Sequence, residues 1–321
     1  MRLLVLGGTV FLGHAIAAEA VARGNDVTCA ARGVRNGSPG RLVKVDRDDP
    51  DGLAPLSGQR FDAVIDVAKI SYPHVRRAVD TIDTGHWTFV SSISAYSAHR
   101  TGRVDDPLHE PVEDQGSADT MDNYGGIKVA SENAVRDVWG EDAFIVRSGL
   151  ITGRGDLSDR FGYWPARLAG TGRAVVPDSP DQPTHHVDVQ DLARWIVHGS
   201  EQRLGGTFNA AGLPIPLGEL LARIKAVAAG DVEFAPVSAE KLIELGVGYW
   251  SGPRSLPMWV PGDQGITRNW DVQPAIDAGL TFRPLEEAAS SALEYERELG
   301  LDRPRKAGLT PADEARLLSL L

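Results

Sequence analysis

Residues 1–13 run Met-Arg-Leu-Leu-Val-Leu-Gly7-Gly-Thr-Val-Phe-Leu-Gly13, a short apolar strand that enters a glycine-rich turn, followed by a helix read over His14 to Arg23. A strand–turn–helix of this kind leaves backbone N–H groups and a helix N-terminus facing outward, an arrangement that accepts the pyrophosphate of a dinucleotide. A glycine fingerprint spaced Gly7, position 10, Gly13 calls for glycine in the middle, and Val10 stands there instead.

Short β-rich runs and helical segments alternate after this turn. Leu3 to Leu6, Val27 to Ala31, Arg41 to Val45, Ala63 to Val67, Trp87 to Ser91 and Ala143 to Arg147 read as strands, with amphipathic stretches at Tyr72 to Ile82 and Ile127 to Val138. Such alternation predicts a parallel sheet covered on both faces. Residues 153–183 are rich in Gly, Arg and aromatics, with a helix around Tyr163 to Ala169. Val187 to Ser200 reads as a helix and Thr207 to Ala210 as one more strand, which returns the chain to the sheet. Helices follow at Leu217 to Ala229 and Pro284 to Leu299, and the last, Pro311 to Leu320, reads as a tail or a dimer element. The expected division is residues 1–152 with 184–212 returning to them, against 153–183 and 213–321 as a smaller lid.

A net charge of −11 disfavours nucleic acid or an anionic membrane as the main partner, since both need a basic footprint. Cys29 is the only cysteine, so neither an internal disulfide nor a cysteine metal cluster is expected. No apolar run reaches about 18 residues, and the apolar stretch before Gly7 is too short for a signal peptide, so a cytoplasmic protein is expected.

The chemistry-bearing residues cluster in two places. Tyr124-Gly-Gly-Ile-Lys128 opens a helix after a long polar loop, and residues four apart share one helix face. An ammonium there stabilises charge developing on the phenol. The strand before the loop ends Phe89-Val-Ser91-Ser92-Ile-Ser94-Ala-Tyr96, which sets hydroxyls at the carboxyl edge of the sheet, where ligands of such folds bind. A serine there positions a carbonyl while Tyr124 donates or removes its proton.

Gly7-Gly8-Thr9 with Phe11-Leu12-Gly13, Asp46-Arg47, Ser91-Ser92 with Tyr96, Tyr124-x-x-x-Lys128, Arg147 to Gly153, His186 to Asp191 and Pro261-Gly-Asp263 fall in one order. In that order the chain resembles the extended short-chain dehydrogenase/reductase family, which includes nucleotide-sugar epimerases and dehydratases. The resemblance implies an α/β fold, a Rossmann-type doubly wound parallel sheet with a smaller C-terminal substrate-binding lid. It implies Ser92, Tyr124 and Lys128 as the catalytic trio, with Ser91 and Ser94 as alternative hydroxyls. The cofactor would meet Gly7, Thr9, Val10, Phe11, Leu12, Gly13, Asp46, Arg47, Val67, Ala68 and Lys128, with Asp46 near the adenine. The family also dimerises through two long helices beside the sheet, one of which here carries Tyr124 and Lys128, so a homodimer is implied.

Departures from the family pattern narrow the expectation. NAD-preferring members end the second strand with an acid; here Ala31 stands there, followed by Arg32, with Arg35 close behind. Arg pairs bidentately with a 2′-phosphate, so NADP(H) is favoured and NAD(H) stays open. Val10 adds a side chain that would crowd the pyrophosphate. Ile93 and Ser94 replace the Asp-Glu pair of sugar dehydratases, Leu150 replaces an epimerase Asn, and Val260 stands near an epimerase Arg. The expected substrate residues are Ser94, Tyr96, Arg160, Tyr163, His185 and Trp259, while Trp164 and Trp195 read as core. His185 and His186, adjacent on a strand, point to opposite faces and make no metal site. The reading is an NADP(H)-dependent oxidoreductase of the carbonyl-reductase type acting on a small molecule. Its rivals are an NAD(P)-dependent epimerase and a non-catalytic nucleotide-sensing or RNA-binding protein on the same fold.

Overall fold

The structure, a computed structural model, describes residues 1–33, 37–67, 71–98, 101–114, 123–262 and 269–321. The chain divides into two compact units. The first comprises Met1–Leu150, Val189–Gly212 and Trp270–Thr281; the second comprises Ile151–Asp188, Leu213–Asn269 and Phe282–Leu321.

Seven parallel strands form the first unit's sheet: β1 (Arg2–Leu6), β2 (Asp26–Ala31), β3 (Arg41–Lys44), β4 (Ala63–Asp66), β5 (Trp87–Ser92), β6 (Phe144–Ser148) and β7 (Gly206–Ala210). Their spatial order is β7-β6-β5-β4-β1-β2-β3. Each of the runs read as a strand in this unit is present. Leu3, Leu4, Val5 and Leu6 are fully buried, as a strand covered on both faces requires.

Side chains alternate across the sheet and meet a different helix pair on each side. Leu4, Leu6, Val64, Phe89 and Ile145 pack with Val75 and Val79 of α2 (Tyr72–Thr81) and Val135 of α3 (Tyr124–Trp139). On the other face Phe144 meets Trp195 of α4 (Val189–Gln202) edge-on at 5.0 Å, and Thr88 Oγ1 lies 2.8 Å from Ser200 Oγ. Helix α1 (Phe11–Ala22) packs against α4. The strand order reverses between β1 and β4, and the turn after β1 lies at that switch point.

The glycine-rich turn fits its place because of two close backbone approaches. Gly7, at φ +90°, donates its N–H to Ala30 O at 2.9 Å, and a Cβ there would lie 3.1 Å from Val67 O. A Cβ on Gly13 would lie 2.2 Å from Gly7 O, so α1 can approach β1 this closely only with glycine. Phe11 has a φ of +40°, which costs a non-glycine residue about 1–2 kcal/mol. Residues Trp270–Thr281 join the first unit, a return that the sequence division did not include. Trp270 stacks 5.0 Å from Tyr96, and Trp195 Nε1 donates to Ala278 O at 2.9 Å.

The second unit holds a parallel ribbon, Thr171–Pro177 beside Asp231–Val237, with helices Tyr163–Leu168, Leu217–Ala228, Leu285–Leu299 and Pro311–Leu318. Asp159 and Glu296, both 2% exposed, meet Arg303 and Arg305, so two buried carboxylates face two guanidiniums. The last helix is anchored within this unit: Glu314 accepts from Arg167 Nε at 2.6 Å and from Val175 N at 2.9 Å. Among the described residues no helix is long and apolar enough to cross a membrane.

Gly13→Ala forces the first turn of α1 away from β1. The expected cost is about 3 kcal/mol, which lowers Tm by about 4–8 °C. Thermal unfolding of the cofactor-free chain reads this directly, and an unchanged Tm would mean the turn absorbs the added Cβ.

Candidate active site

Lys128 and Tyr124 stand one turn apart at the start of α3. Lys128 is 5% exposed; its Nζ donates to Val90 O at 3.0 Å and lies 5.1 Å from the Phe89 ring centre and 6.0 Å from that of Tyr124. The half-buried Tyr124 is thus the accessible member of the pair. Ser92 ends β5, and its Oγ accepts the Ser94 N–H at 3.1 Å and donates to Ser94 Oγ at 3.2 Å. The exposed Ser94 and the more buried Ser92 therefore form a linked hydroxyl pair.

Two glycines bring the loop between β5 and α3 against the first turn of α3. A Cβ on Gly125 would lie 2.2 Å from Ser94 O and 2.5 Å from Cδ2 of His109. One on Gly126 would lie 2.7 Å from Glu110 O, and Val112 N donates to Gly126 O at 3.0 Å. His109 N donates to Ala95 O at 2.9 Å, which sets this exposed imidazole beside the residue after Tyr124. The sequence reading passed over His109; its signal was the glycine pair, which marks a close crossing.

Behind this surface lies a buried ion pair. Glu132, fully buried one turn beyond Lys128, accepts from Arg147 Nε at 3.0 Å and Nη2 at 2.8 Å, from Arg136 Nη2 at 3.0 Å and from Ser91 Oγ. Burial alone would raise the proton affinity of Glu132, but the hydrogen bonds and charge of Arg147, aided by Arg136 and Ser91, hold its carboxyl below the usual value. Arg147 Nη1 also donates to Val104 O at 3.0 Å, and its guanidinium lies 4.7 Å over the Tyr96 ring. Ser91, the first alternative hydroxyl, is thereby engaged away from the surface. Sequence reasoning misses Glu132; its one signal is its place four residues after Lys128 on the same helix face.

Several residues expected at ligands belong to the core. Tyr96 is 3% exposed, with its Oη donating to Asn209 Oδ1 at 2.7 Å, and burial raises its phenol pKa. In the second unit Tyr163 is pressed against Gly308 and 2% exposed, and burial pushes its phenol well up. Trp259 is fully buried and His185 is 8% exposed. Arg47 does not stand free for a cofactor: its Nη1 and Nη2 donate to the Asp66 carboxylate at 2.7 and 3.2 Å, and Nη2 to His74 O at 2.7 Å. In each case an aromatic or cationic residue completes packing or neutralises a buried acid. Trp164 and Trp195 are core as expected, 0% and 1% exposed. Arg160 is half-buried, with its guanidinium 5.3 Å over the Trp250 ring. Among the described residues no group of three His, Cys, Asp or Glu side chains is placed to hold a metal.

The sequence model of the NAD dependent epimerase/dehydratase family matches residues 3–211. This chain belongs to that family. Over 244 residues it is 29% identical to 2′-dehydrokanamycin reductase of Streptomyces kanamyceticus, covering 70% of this chain and 66% of that protein. The match thus spans just under two thirds of the curated relative. A putative epimerase from Burkholderia cenocepacia J2315 has a TM-score of 0.70 at 20% identity, covering 92% of this chain and 98% of that one. Vestitone reductase from alfalfa, Medicago sativa, has 0.64 at 20%, covering 94% and 99%. MoeE5, solved with UDP-glucose and NAD, has 0.67 at 17%, covering 93% and 99%. These structures share the fold. The family makes this chain an NAD(P)-dependent enzyme of the extended short-chain dehydrogenase/reductase type.

The residues present fit the family's dinucleotide. The cradle between Gly7 and Gly13 admits no Cβ at either position, and the first turn of α1 carries no acidic side chain to compete with a pyrophosphate. Thr9 and Phe11 are half-buried in the turn, whereas Leu12 is 3% exposed and packs inward. Val10 is 45% exposed on extended backbone at the helix N-terminus. Asp46 is exposed just after β3, and Val67 follows β4. Ala68 and Arg35 lie outside the described residues.

Glu132→Gln leaves Arg147 charged and poorly paired, at an expected cost of about 3–5 kcal/mol near neutral pH. The folded carboxyl holds its proton more weakly than the unfolded one. The stabilisation is therefore complete above the ordinary value of 4.5 and is lost as pH falls through the lower folded value. Urea unfolding of both chains from about pH 7 downwards should show a constant difference that shrinks below about pH 5. A gap that stays constant into strong acid would contradict this assignment.

Proposed function

We propose that the chain is an NADP(H)-dependent carbonyl reductase acting on a small-molecule ketone or its alcohol, with Tyr124 as the proton donor. The observation that carries this reading is the half-buried Tyr124 phenol above a buried Lys128 ammonium, beside the Ser92–Ser94 hydroxyls at the carboxyl edge of the sheet. In reduction, the bound nicotinamide supplies the hydride. Ser92 donates a hydrogen bond that orients the carbonyl oxygen. Tyr124 gives that oxygen its proton and is reprotonated from solvent. Lys128, held by Val90 O, stabilises the charge left on the phenol as the proton departs. Its buried ammonium also stands ready to bond the nicotinamide ribose. The reductase named among the curated relatives agrees with this direction.

Arg32 supports the NADP(H) preference. Its side chain, 56% exposed, follows the last residue of β2 and reaches Asp48 only at 3.9 Å. An exposed pair of that kind contributes about 0–1 kcal/mol, whereas a charge-assisted bond to phosphate contributes about 1.5–3 kcal/mol. A 2′-phosphate therefore displaces Asp48 from the guanidinium. An epimerase, which oxidises and re-reduces one carbon, remains the second reading, since epimerases stand among the structural neighbours.

Titration of the purified protein, following cofactor fluorescence, should show NADPH binding about tenfold or more tightly than NADH. Arg32→Ala should remove that preference and leave NADH unchanged. Tyr124→Phe should lower kcat by about 10²–10⁴ with cofactor affinity intact. NAD retained through purification, or equal binding of both forms, would move the epimerase to first place; full turnover by Tyr124→Phe would remove Tyr124 from the mechanism.

A further inference from the structure

The carboxylate nearest Arg32 is held in place from several directions. Asp48 N donates to Asp46 Oδ1 at 3.1 Å, and Asp49 N to Asp46 O at 3.2 Å. From α2, Arg77 Nη1 donates to the carbonyls of Arg47 and Asp49, both at 3.0 Å, which fixes the segment on either side of Asp48. One carboxylate oxygen, Oδ1, lies 3.1 Å from Nε2 of His74, a residue 7% exposed on α2. The other, Oδ2, faces Nη1 of Arg32 at 3.9 Å. Arg47, the next cation along, is already bound to Asp66. Asp48 is thus a positioned negative charge at the same guanidinium that the NADP(H) reading assigns to the coenzyme.

We propose that Asp48 is a coenzyme-specificity residue: its carboxylate opposes a 2′-phosphate at Arg32 and weakens NADP(H) binding relative to NAD(H). The proposal rests on the reading of Arg32 as the residue beside the ribose 2′-position. A single guanidinium fork pairs bidentately with one oxyanion at a time. A 2′-phosphate taking that fork displaces Asp48 and then lies beside a second anion, which its anchored backbone keeps in the neighbourhood. The ribose 2′-hydroxyl of NAD(H) is neutral and meets no such repulsion. In this solvated corner, the repulsion of a phosphate by one carboxylate a few ångströms away is worth about tenfold in affinity, and less at high salt.

The test is Asp48→Asn, nearly isosteric and uncharged, with Asp48→Ala beside it. NADPH and NADH dissociation constants are measured on the full chain at low and high salt, together with those of the fragments 2′,5′-ADP and 5′-AMP. Both variants should bind NADPH and 2′,5′-ADP about tenfold more tightly, hold NADH and 5′-AMP within about twofold, and lose most of the gain at high salt. A NADPH/NADH ratio that moves less than about twofold, or moves towards NADH, overturns the proposal, whatever the wild-type preference. A wild type that prefers NADH, with variants shifted towards NADPH, refutes the NADP(H) reading while supporting the role of Asp48. A wild type that prefers NADPH, with unshifted variants, does the reverse. Binding of neither dinucleotide overturns both.

Discussion

Glu132 carries a negative charge where water does not reach, and α3 holds its place because Arg147 meets that charge from β6. An unpaired carboxylate at that depth would cost several kcal/mol, so the helix and the strand are coupled in position. The coupling extends outward in three directions: Ser91 joins it to the end of β5, Arg136 to the next turn of α3, and Val104 to the loop in front of the site. Lys128 and Tyr124 occupy the preceding turns of the same helix face. Proton transfer needs donor and acceptor held within a few tenths of an ångström, and an element fixed at its base by an ion pair provides such support.

The parts legible in the sequence are those in which local pattern and tertiary environment agree. The apolar runs at Leu3 to Leu6, Ala63 to Asp66, Trp87 to Ser91 and Phe144 to Arg147 form buried parallel strands, because strands covered on both faces admit little else, whereas the edge strand Arg41–Lys44 is largely exposed. Gly7 and Gly13 were legible because their absence of Cβ is itself the structural requirement. Glu132 was harder to read. A glutamate on a helix is ordinarily a solvated residue, and only the distant Arg147 makes this one a buried partner. Arg47 went the other way: beside Asp46 it resembles a cofactor residue, yet the buried Asp66, 19 positions further on, takes its guanidinium.

The aromatics of the second unit show why composition does not identify a binding surface. Tyr163 and Trp259 are expected at substrate and Trp164 in the core, and all three are buried. Large rings contribute most when fully covered, so a small unit whose longest strand pair is a seven-residue parallel ribbon recruits them for its interior. Its charged core follows the same logic, since Asp159 and Glu296 secure the C-terminal segment through Arg303 and Arg305. Among the residues expected at substrate there, Arg160 retains partial exposure, stacked on Trp250.

The two halves of the problem therefore differ in kind. The proposed reaction chemistry depends on a fixed spacing, Tyr124 to Lys128 on one helix beside Ser92 at one strand end, and fixed spacings survive as sequence motifs. The proposed coenzyme choice depends on charges that meet only through the fold. Arg32 follows β2, Asp48 follows β3, and His74 rides on α2; none is adjacent to another in sequence, and their distances of 3.9 and 3.1 Å arise only in the folded chain, where β2 and β3 pair in register. A cation at the end of a second strand is thus an incomplete statement about coenzyme preference. On the proposal made for Asp48, the anion that the neighbouring strand delivers beside it belongs to the same determinant, and the preference is the difference between the two.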